Sequence, residues 1–398
     1  MAVAACGSSS KKTTASSSNT TAGSTSKYPP IPAGPITFGV SAPLTGPTAA
    51  YGISTKNQFE GASLPAFQAA NPNGIAGHPV KLEFLDDAGD ATKGSGVANQ
   101  FVQDKVAAVI TISYSPQVAP QQYAVLGKAK VPIIAGLNGS QYEDVSKWPY
   151  NFSIGASLSQ EGKATAAYIA KKGFTKIGTI SDGLPSADDA LGAITKALAT
   201  GAPQAKVIKA VTSQPGATEQ STAVAQLKDA GIDVLLVYLS YGYGPLWSAM
   251  QSAGFAPQII ATAGAWYDGF DGMGPLATKA VSPFYYCADK VDESFPPDLV
   301  SLMSKYAATQ KQINYLVSVG TDQVPFDMLK YAIEKNNSVD PDAIKDALES
   351  VHGMTFQHIA FDFSPTNHFG LSGEYGAAVC NMAPPYAGGP GLIPVKAG

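Results

Sequence analysis

The chain has 398 residues, 45% hydrophobic and 14% charged, enough for two domains each with its own core. A net charge of −4 offers nothing to nucleic acid or to an anionic membrane surface. All 26 basic residues are lysine. Without guanidinium forks, a bound anion must be held by backbone N–H groups, hydroxyls or lysine.

The N-terminus reads Val3-Ala4-Ala5-Cys6-Gly7. Small residues running into a cysteine resemble the end of a bacterial lipoprotein signal, with Cys6 as the lipid-carrying residue. The charged and apolar parts of such a signal are missing, as in a trimmed or restarted chain. Residues 7–27 are almost entirely Ser, Thr, Gly, Ala, Asn and Lys. Such a tract cannot bury enough apolar surface to offset its ordering entropy and reads as a flexible tether. Tyr28-Pro29-Pro30-Ile31-Pro32 closes it with a stiffer segment. No run of 18 apolar residues occurs, so the expected membrane attachment is the lipid alone.

From Pro35 short β-rich runs alternate with longer amphipathic ones. Strands are expected at Ile36–Val40, Val80–Leu85, Val106–Ile112 and Val131–Ala135. Helices are expected at Thr55–Ala70, Ala91–Lys105 and Pro116–Ala129. This is the pattern of right-handed βαβ units around a parallel sheet. The alternation restarts after Trp148-Pro149. Strands are expected at Tyr150–Ile154, Lys176–Ser181, Ala205–Thr212, Asp233–Tyr238 and Gln258–Thr262. Helices are expected at Ser159–Lys172, Ala187–Ala199, Thr218–Ala230 and Pro245–Ala253, with Gly231 and Gly254 as stops. The restart and the length favour two α/β lobes over one large doubly wound domain. In the tail, Pro297–Gln310, Thr321–Lys335 and Pro341–Ser350 read as helices, the last with Asp340 as N-cap and proline at the first position. Thr355–Phe363 and Glu374–Asn381 read as an antiparallel pair.

Gly39-Val40-Ser41-Ala42-Pro43-Leu44-Thr45-Gly46-Pro47, followed by Ala50-Tyr51-Gly52, resembles the opening of periplasmic binding proteins of the leucine/isoleucine/valine type. Ala70-Asn71-Pro72-Asn73-Gly74-Ile75-Ala76-Gly77-His78, leading into a strand that ends Leu85-Asp86-Asp87, resembles the stretch that follows it there. The resemblance covers roughly Pro35 to Met382 and is most specific in the first hundred residues. It implies two Rossmann-like lobes, of the periplasmic-binding-protein type I fold, joined by three hinge crossings near Ala156, Phe284 and Val351. Residues 1–34 would then be lipoprotein N-terminus and tether. The first lobe would be 35–155 plus 285–350, and the second 156–284 plus 351–398. The implied function is the substrate-binding component of an ABC importer. It would be an exported monomer, lipid-anchored on the periplasmic or outer face of the cytoplasmic membrane, that captures a small amino-acid-like, amide or aromatic or apolar carboxylate solute by lobe closure and delivers it to a permease and its ATPase subunits.

In open α/β sheets ligands sit beyond the carboxyl ends of the strands. Tyr51 follows the first strand there. Ser113, Tyr114 and Ser115 follow the third and lead into a helix whose N–H groups suit an anionic or carbonyl oxygen. Asn138, Gly139 and Ser140 follow the fourth; their family counterparts offer backbone and hydroxyl contacts to a ligand's carboxylate and ammonium. From the second lobe come Asp182-Gly183-Leu184, Ser240-Tyr241-Gly242-Tyr243 and Gly264-Ala265-Trp266-Tyr267. Leu184, Tyr241, Ala265 and Trp266 are the expected contacts. Where the family places an acid for an α-ammonium, this chain has Gly264 or Ala265, with Asp268 and Asp182 as possible substitutes. The Tyr and Trp density suits an apolar or aromatic ligand body.

Cys287 and Cys380 remain as a pair if Cys6 takes the lipid, and a disulfide is expected in an exported protein. No catalytic set is visible. The Gly89 to Gly94-Ser95 stretch fails as a phosphate loop because Lys93 precedes Gly94. No Gly-x-Ser-x-Gly elbow is present. His78, His352, His358 and His368 show no metal spacing, and the Asp362…Asn367-His368 loop reads as a solvated turn in preference to a cation site. The acid pairs Asp86-Asp87 and Asp188-Asp189 read as caps of strand and helix ends. No cofactor is expected. The alternatives are a ligand sensor or amide-responsive regulator on the same fold, and a purely structural surface lipoprotein, which the polar cleft loops disfavour.

Overall fold

The computed structural model describes residues 1, 27–46, 49–111, 118–136, 139–239, 242–261, 272–284, 323–356, 359–372 and 378–381. The first sheet holds five parallel strands: β1 (Ile36–Ala42), β2 (Val80–Asp86), β3 (Ala108–Thr111), β4 (Ile133–Ala135) and β5 (Asn151–Ser153), in the order β2-β1-β3-β4-β5. The second holds β6 (Lys176–Ser181), β7 (Lys206–Thr212), β8 (Val234–Tyr238), β9 (Gln258–Ala261) and β10 (Ala280–Phe284). A late strand joins them to give six, and β6 to β10 run parallel. Two parallel-sheet α/β lobes are therefore present, as expected.

Helices of the first lobe are α1 (Ala49–Gln58), α2 (Leu64–Ala70), α3 (Ala91–Asp104) and α4 (Ala119–Lys128). A π-helical turn at Phe59–Ser63 joins α1 to α2, so the helix expected at Thr55–Ala70 starts six residues earlier and is interrupted. Pro65 has no N–H to give the preceding turn, and the backbone widens there, with the Leu64 N–H reaching Phe59 O. The second lobe carries α5 (Leu158–Lys172), α6 (Pro185–Gly201), α7 (Ser221–Asp229) and α8 (Tyr243–Ser252). The start of α5 is fixed by a capping box: the Gln160 N–H donates to Ser157 Oγ at 3.2 Å, and the Ser157 N–H to Gln160 Oε1 at 2.8 Å. Gly173, left-handed at φ +71°, ends it.

The chain then returns to the first lobe as α9 (Gln323–Asn336) and α10 (Pro341–Leu348). Phe326 of α9 is fully buried against Phe67, 5.2 Å between ring centroids, and against Phe59 and Phe38 at 6.0 and 6.2 Å. Asp340 caps α10 through the N–H groups of Asp342 and Ala343.

The tail corrects one expectation. Thr355–Phe363 is not a single strand paired with Glu374–Asn381. It folds into a hairpin of β11 (Met354–Phe356) and β12 (Ile359–Phe361), in which Phe356 faces Ile359. β13 (Ala378–Asn381) pairs antiparallel with β10 instead, Cys380 opposite Ser282. The fold-back gathers Phe356, Phe361 and Phe363 into one buried aromatic run, with 5.6 Å between Phe361 and Phe363. A period-two pattern is the same for one long strand and for two short ones folded on each other. The element order thus passes from the first sheet to the second, back to α9 and α10, and on to β13 of the second: three passages.

Candidate functional site

Strand order reverses at β1 in the first sheet, where β2 and β3 lie on opposite sides, and at β6 in the second, between β7 and β8. Those are the switch points where a crevice forms beyond the strand ends.

On the first lobe the crevice loops are held by the acids that end β2. Asp86 accepts from the Leu44 N–H at 2.8 Å, the Thr45 N–H at 3.1 Å, the Thr45 hydroxyl at 2.6 Å and the Ala88 N–H at 2.9 Å. Burial alone would raise its pKa, but these hydrogen bonds outweigh burial and hold it below the usual carboxylate value. Asp87, fully buried, accepts from the Ser41 hydroxyl at 2.8 Å and the Gly89 N–H at 2.8 Å. Gln122 of α4 donates to the same Ser41 oxygen at 2.5 Å. The ends of β1 and β2 are thereby tied to α4. The two acids do more than cap: they fix the Pro43–Gly46 turn from which α1 springs. Gly52 allows that close approach, since a Cβ there would lie 2.1 Å from Pro43 O.

On the second lobe, β6 ends at Ser181 and Asp182 follows it, both buried. The Leu184 N–H donates to Asp182 Oδ1 at 3.2 Å, turning the chain into α6, whose first residue is Pro185. Leu184 is half-buried at that mouth. After β8, the buried Tyr243 hydroxyl donates to Leu239 O.

Two groups escaped the sequence reading. Glu161, one turn into α5, has its carboxyl pushed up to about 8 by burial. It lies close enough to Tyr238, the last residue of β8, to raise that phenol further, after desolvation and ahead of Tyr243. The Tyr238 and Thr165 hydroxyls, both buried, have no hydrogen-bond partner among the described residues. An acid in the first turns of an amphipathic helix reads as solvated, so only the packing against β8 reveals this set.

The second is Asp189, on α6. Its Oδ2 accepts the Ser140 N–H at 2.7 Å and its Oδ1 the Ser140 hydroxyl at 2.5 Å. Asp189 therefore does not cap α6; it bridges to the loop after β4 of the other lobe. The loops beyond the carboxyl ends of both sheets face one another and touch here.

Of the other expected contacts, Gly139 lies beside this bridge with φ +115°, a region open to glycine. Tyr51 stands in the first turn of α1. Ser113, Tyr114, Ser115, Asn138, Tyr241, Ala265 and Trp266 lie outside the described residues, as do Cys6, Cys287, His358 and Asp268.

The turn is solvated at Pro365, Thr366 and Asn367, as expected, but His368 at its end is not. His368 is 1% exposed and stacks on Phe152 with 3.9 Å between ring centroids. Its Nδ1 bonds Asn151 O at 3.0 Å and its Nε2 Glu349 Oε1 at 3.1 Å. Burial lowers its pKa against the pull of Glu349. Among the described residues no group of three His, Cys, Asp or Glu could hold a metal ion, and no helix is long and apolar enough to cross a membrane.

The sequence is 41% identical to the Leu/Ile/Val-binding protein BraC3 of Rhizobium johnstonii over 83 residues, 21% of this chain and 22% of that relative's length. It is 29% identical to Leu/Ile/Val-binding protein homolog 3 of Brucella melitensis over 262 residues, 62% of this chain and 67% of the relative. The fold matches the crystal structure of a periplasmic binding protein type 1 from Bordetella pertussis with a TM-score of 0.72 at 20% identity, covering 87% and 96% of the two chains. It also matches a solute-binding protein of an ABC transporter from Rhodopseudomonas palustris, solved with 4-hydroxybenzoate, with a TM-score of 0.69 at 19% identity, covering 84% and 89%. The periplasmic binding protein family model matches residues 35–381, and with two α/β lobes meeting at their strand ends the chain belongs to that family.

Proposed function

We propose that this protein is the substrate-binding component of an ABC importer, and that it captures a small carboxylate with an apolar or aromatic body between its lobes. The observation that carries the reading is the meeting of the two carboxyl-end loop sets at Ser140 and Asp189. A solute in that crevice is reached from both lobes, and closure is favoured by the contacts it makes with both. With no arginine in the chain, its carboxylate is held by backbone N–H groups and hydroxyls of the Ser113–Ser115 loop and by the backbone N–H groups of Asn138 and Gly139. Tyr51, Leu184, Tyr241 and Trp266 form the wall. The proposed lobes are 35–155 with 285–350 and 156–284 with 351–398. Capture involves no chemistry on the ligand.

Aromatic acids are preferred to amino acids in this reading. The loop after β9 carries Gly264 and Ala265 where an ammonium would need a carboxylate, and an unpaired buried charge is costly.

The protein works at the outer face of the cytoplasmic membrane, anchored through a lipid on Cys6. Its tether meets the fold at α10, where Lys27 and Tyr28 both bond Asp346, the lysine at 2.9 Å, and the Ser338 hydroxyl donates to Pro29 O at 2.5 Å. The anchor therefore holds the first lobe. A thermal-shift series with benzoate, 4-hydroxybenzoate, leucine and acetamide tests the ligand class, because a ligand of the folded state raises the melting temperature. Stabilisation by the aromatic acids is expected; stabilisation by leucine alone would overturn the preference.

A further inference from the structure

Ser140 and Asp189 belong to different lobes, are 49 residues apart in sequence, and lie on none of the three passages between the sheets. Both oxygens of one carboxylate are engaged by two donors of one residue, at 2.7 and 2.5 Å. Charge-assisted bonds of this kind are the stronger class. Asp189 is the fifth residue of α6, past the first turn where N–H groups lack partners, so its carboxylate serves no helix cap. Its neighbour Asp188 is exposed.

The donor side is packed into the first lobe. Ser140 opens a short 3-10 turn, Ser140–Glu143. Tyr142 in that turn is 4% exposed, packed against Tyr123 with 4.0 Å between ring centroids and against Trp148 at 5.3 Å. At the end of the turn, Glu143 faces the same surface of the second lobe. Its carboxyl is pushed up first by desolvation and then by the charge of Asp189, while the Ser159 N–H and the charges of Lys163 and Lys196 oppose the shift. A foot of the first lobe is thus seated on α5 and α6 of the second.

We infer that Ser140 and Asp189 form an interlobe clasp that sets how far the lobes stand closed, and that Asp189 is a positioning residue for capture that does not itself touch the ligand. The inference rests on the proposed binding function for its effect on affinity, but the clasp itself exists without it. These bonds hold only while the lobes are together, so they add closed-state stability whatever the ligand is. A protein that is partly pre-closed spends less of its ligand's contact energy on closure. The clasp also removes Ser140 from the ligand's partners in the closed form, leaving the carboxylate to Gly139 and the neighbouring loops.

The test is the interlobe distance, read by small-angle X-ray scattering on the full chain, with ligand affinity measured in parallel. Asp189→Ala and the near-isosteric Asp189→Asn are compared with Asp188→Ala. Without added ligand, both Asp189 variants are expected to show a larger radius of gyration, and Asp188→Ala the wild-type value. With 4-hydroxybenzoate as probe, the dissociation constant rises about five- to tenfold in the Asp189 variants, mainly through faster release. Ser140→Ala, which keeps the N–H, shows a smaller change, and Ser140→Ala with Asp189→Ala is no worse than Asp189→Ala alone. Unchanged scattering in both Asp189 variants, at unchanged melting temperature, would overturn the clasp. Loss of 4-hydroxybenzoate binding in the wild type would overturn the ligand reading and leave the scattering comparison standing.

Discussion

Asp86 takes hold of Thr45 through both carboxylate oxygens, Oδ1 receiving its N–H and Oδ2 its hydroxyl, so that the end of β2 sets the path of the turn leaving β1. Leu44 and Ala88 donate to Oδ1 as well. The crevice wall of the first lobe therefore depends on one ionised group at its edge.

Replacing Asp86 by Ala leaves these donors to water and loosens the turn. Asp86→Ala is expected to destabilise the fold by about 2 kcal/mol, and to weaken ligand binding. Denaturant unfolding and calorimetric titration read the two effects. Because the pKa of Asp86 is depressed in the fold, its contribution is present above the unfolded pKa near 4 and is lost as pH falls through the folded value. The variant therefore loses less stability than the wild type on acidification below pH 4.

Glu161 gives the opposite dependence. Its carboxyl is neutral in the fold up to about pH 8, whereas an unfolded glutamate ionises near pH 4.3. The stability associated with its neutral form is full below the unfolded pKa and is lost as pH rises toward 8. Glu161→Gln removes the titrating group and is expected to raise the melting temperature at pH 8.5 relative to wild type. The gain is of the order of 1–2 kcal/mol, since the residue keeps some accessible surface. At pH 4 the two proteins melt together. Thermal melts across pH 4–9 check this.

His368 adds a third slope. It is buried, and burial lowers its pKa, so the unfolded chain binds a proton that the fold resists. Stability is present above the unfolded pKa near 6.5 and is lost as pH falls from there through the folded value. In His368→Gln this acid-side loss disappears from the pH profile of the melting temperature. The substitution itself costs about 2 kcal/mol at pH 7.5 through lost contact with Phe152 and Glu349.

Gly52→Ala is expected to cost about 3 kcal/mol or to displace the Pro43–Gly46 turn, because the new Cβ would lie 2.1 Å from a backbone oxygen that no rotamer can move. Ligand affinity falls with it, whereas Gly61→Ala, with open space around its Cα, leaves both unchanged. Melting temperature and titration separate the two cases.

Much of the scaffold was legible because its signals are local. Asp340-Pro341 started a helix where expected, Gly231 and Gly254 stand just past the ends of α7 and α8, and alternating β-rich and amphipathic runs gave parallel sheets. What failed was non-local. Met354–Phe361 has the alternation of one strand, and only the burial of three phenylalanines together shows the hairpin. β10 carries Pro283, which lowers its strand signal, yet it pairs on both sides. Asp189 read as a helix-end acid until its partner across the crevice was seen, and Glu161 as a surface residue until β8 lay beneath it.

The central claim is capture of one small carboxylate by two lobes, and isothermal titration of the purified protein with 4-hydroxybenzoate tests it most directly. The account predicts one site per chain, a dissociation constant of about micromolar order, a negative heat-capacity change and recovery of the ligand unaltered. No measurable heat with 4-hydroxybenzoate or benzoate at millimolar concentration, or recovery of a chemically changed ligand, would contradict it.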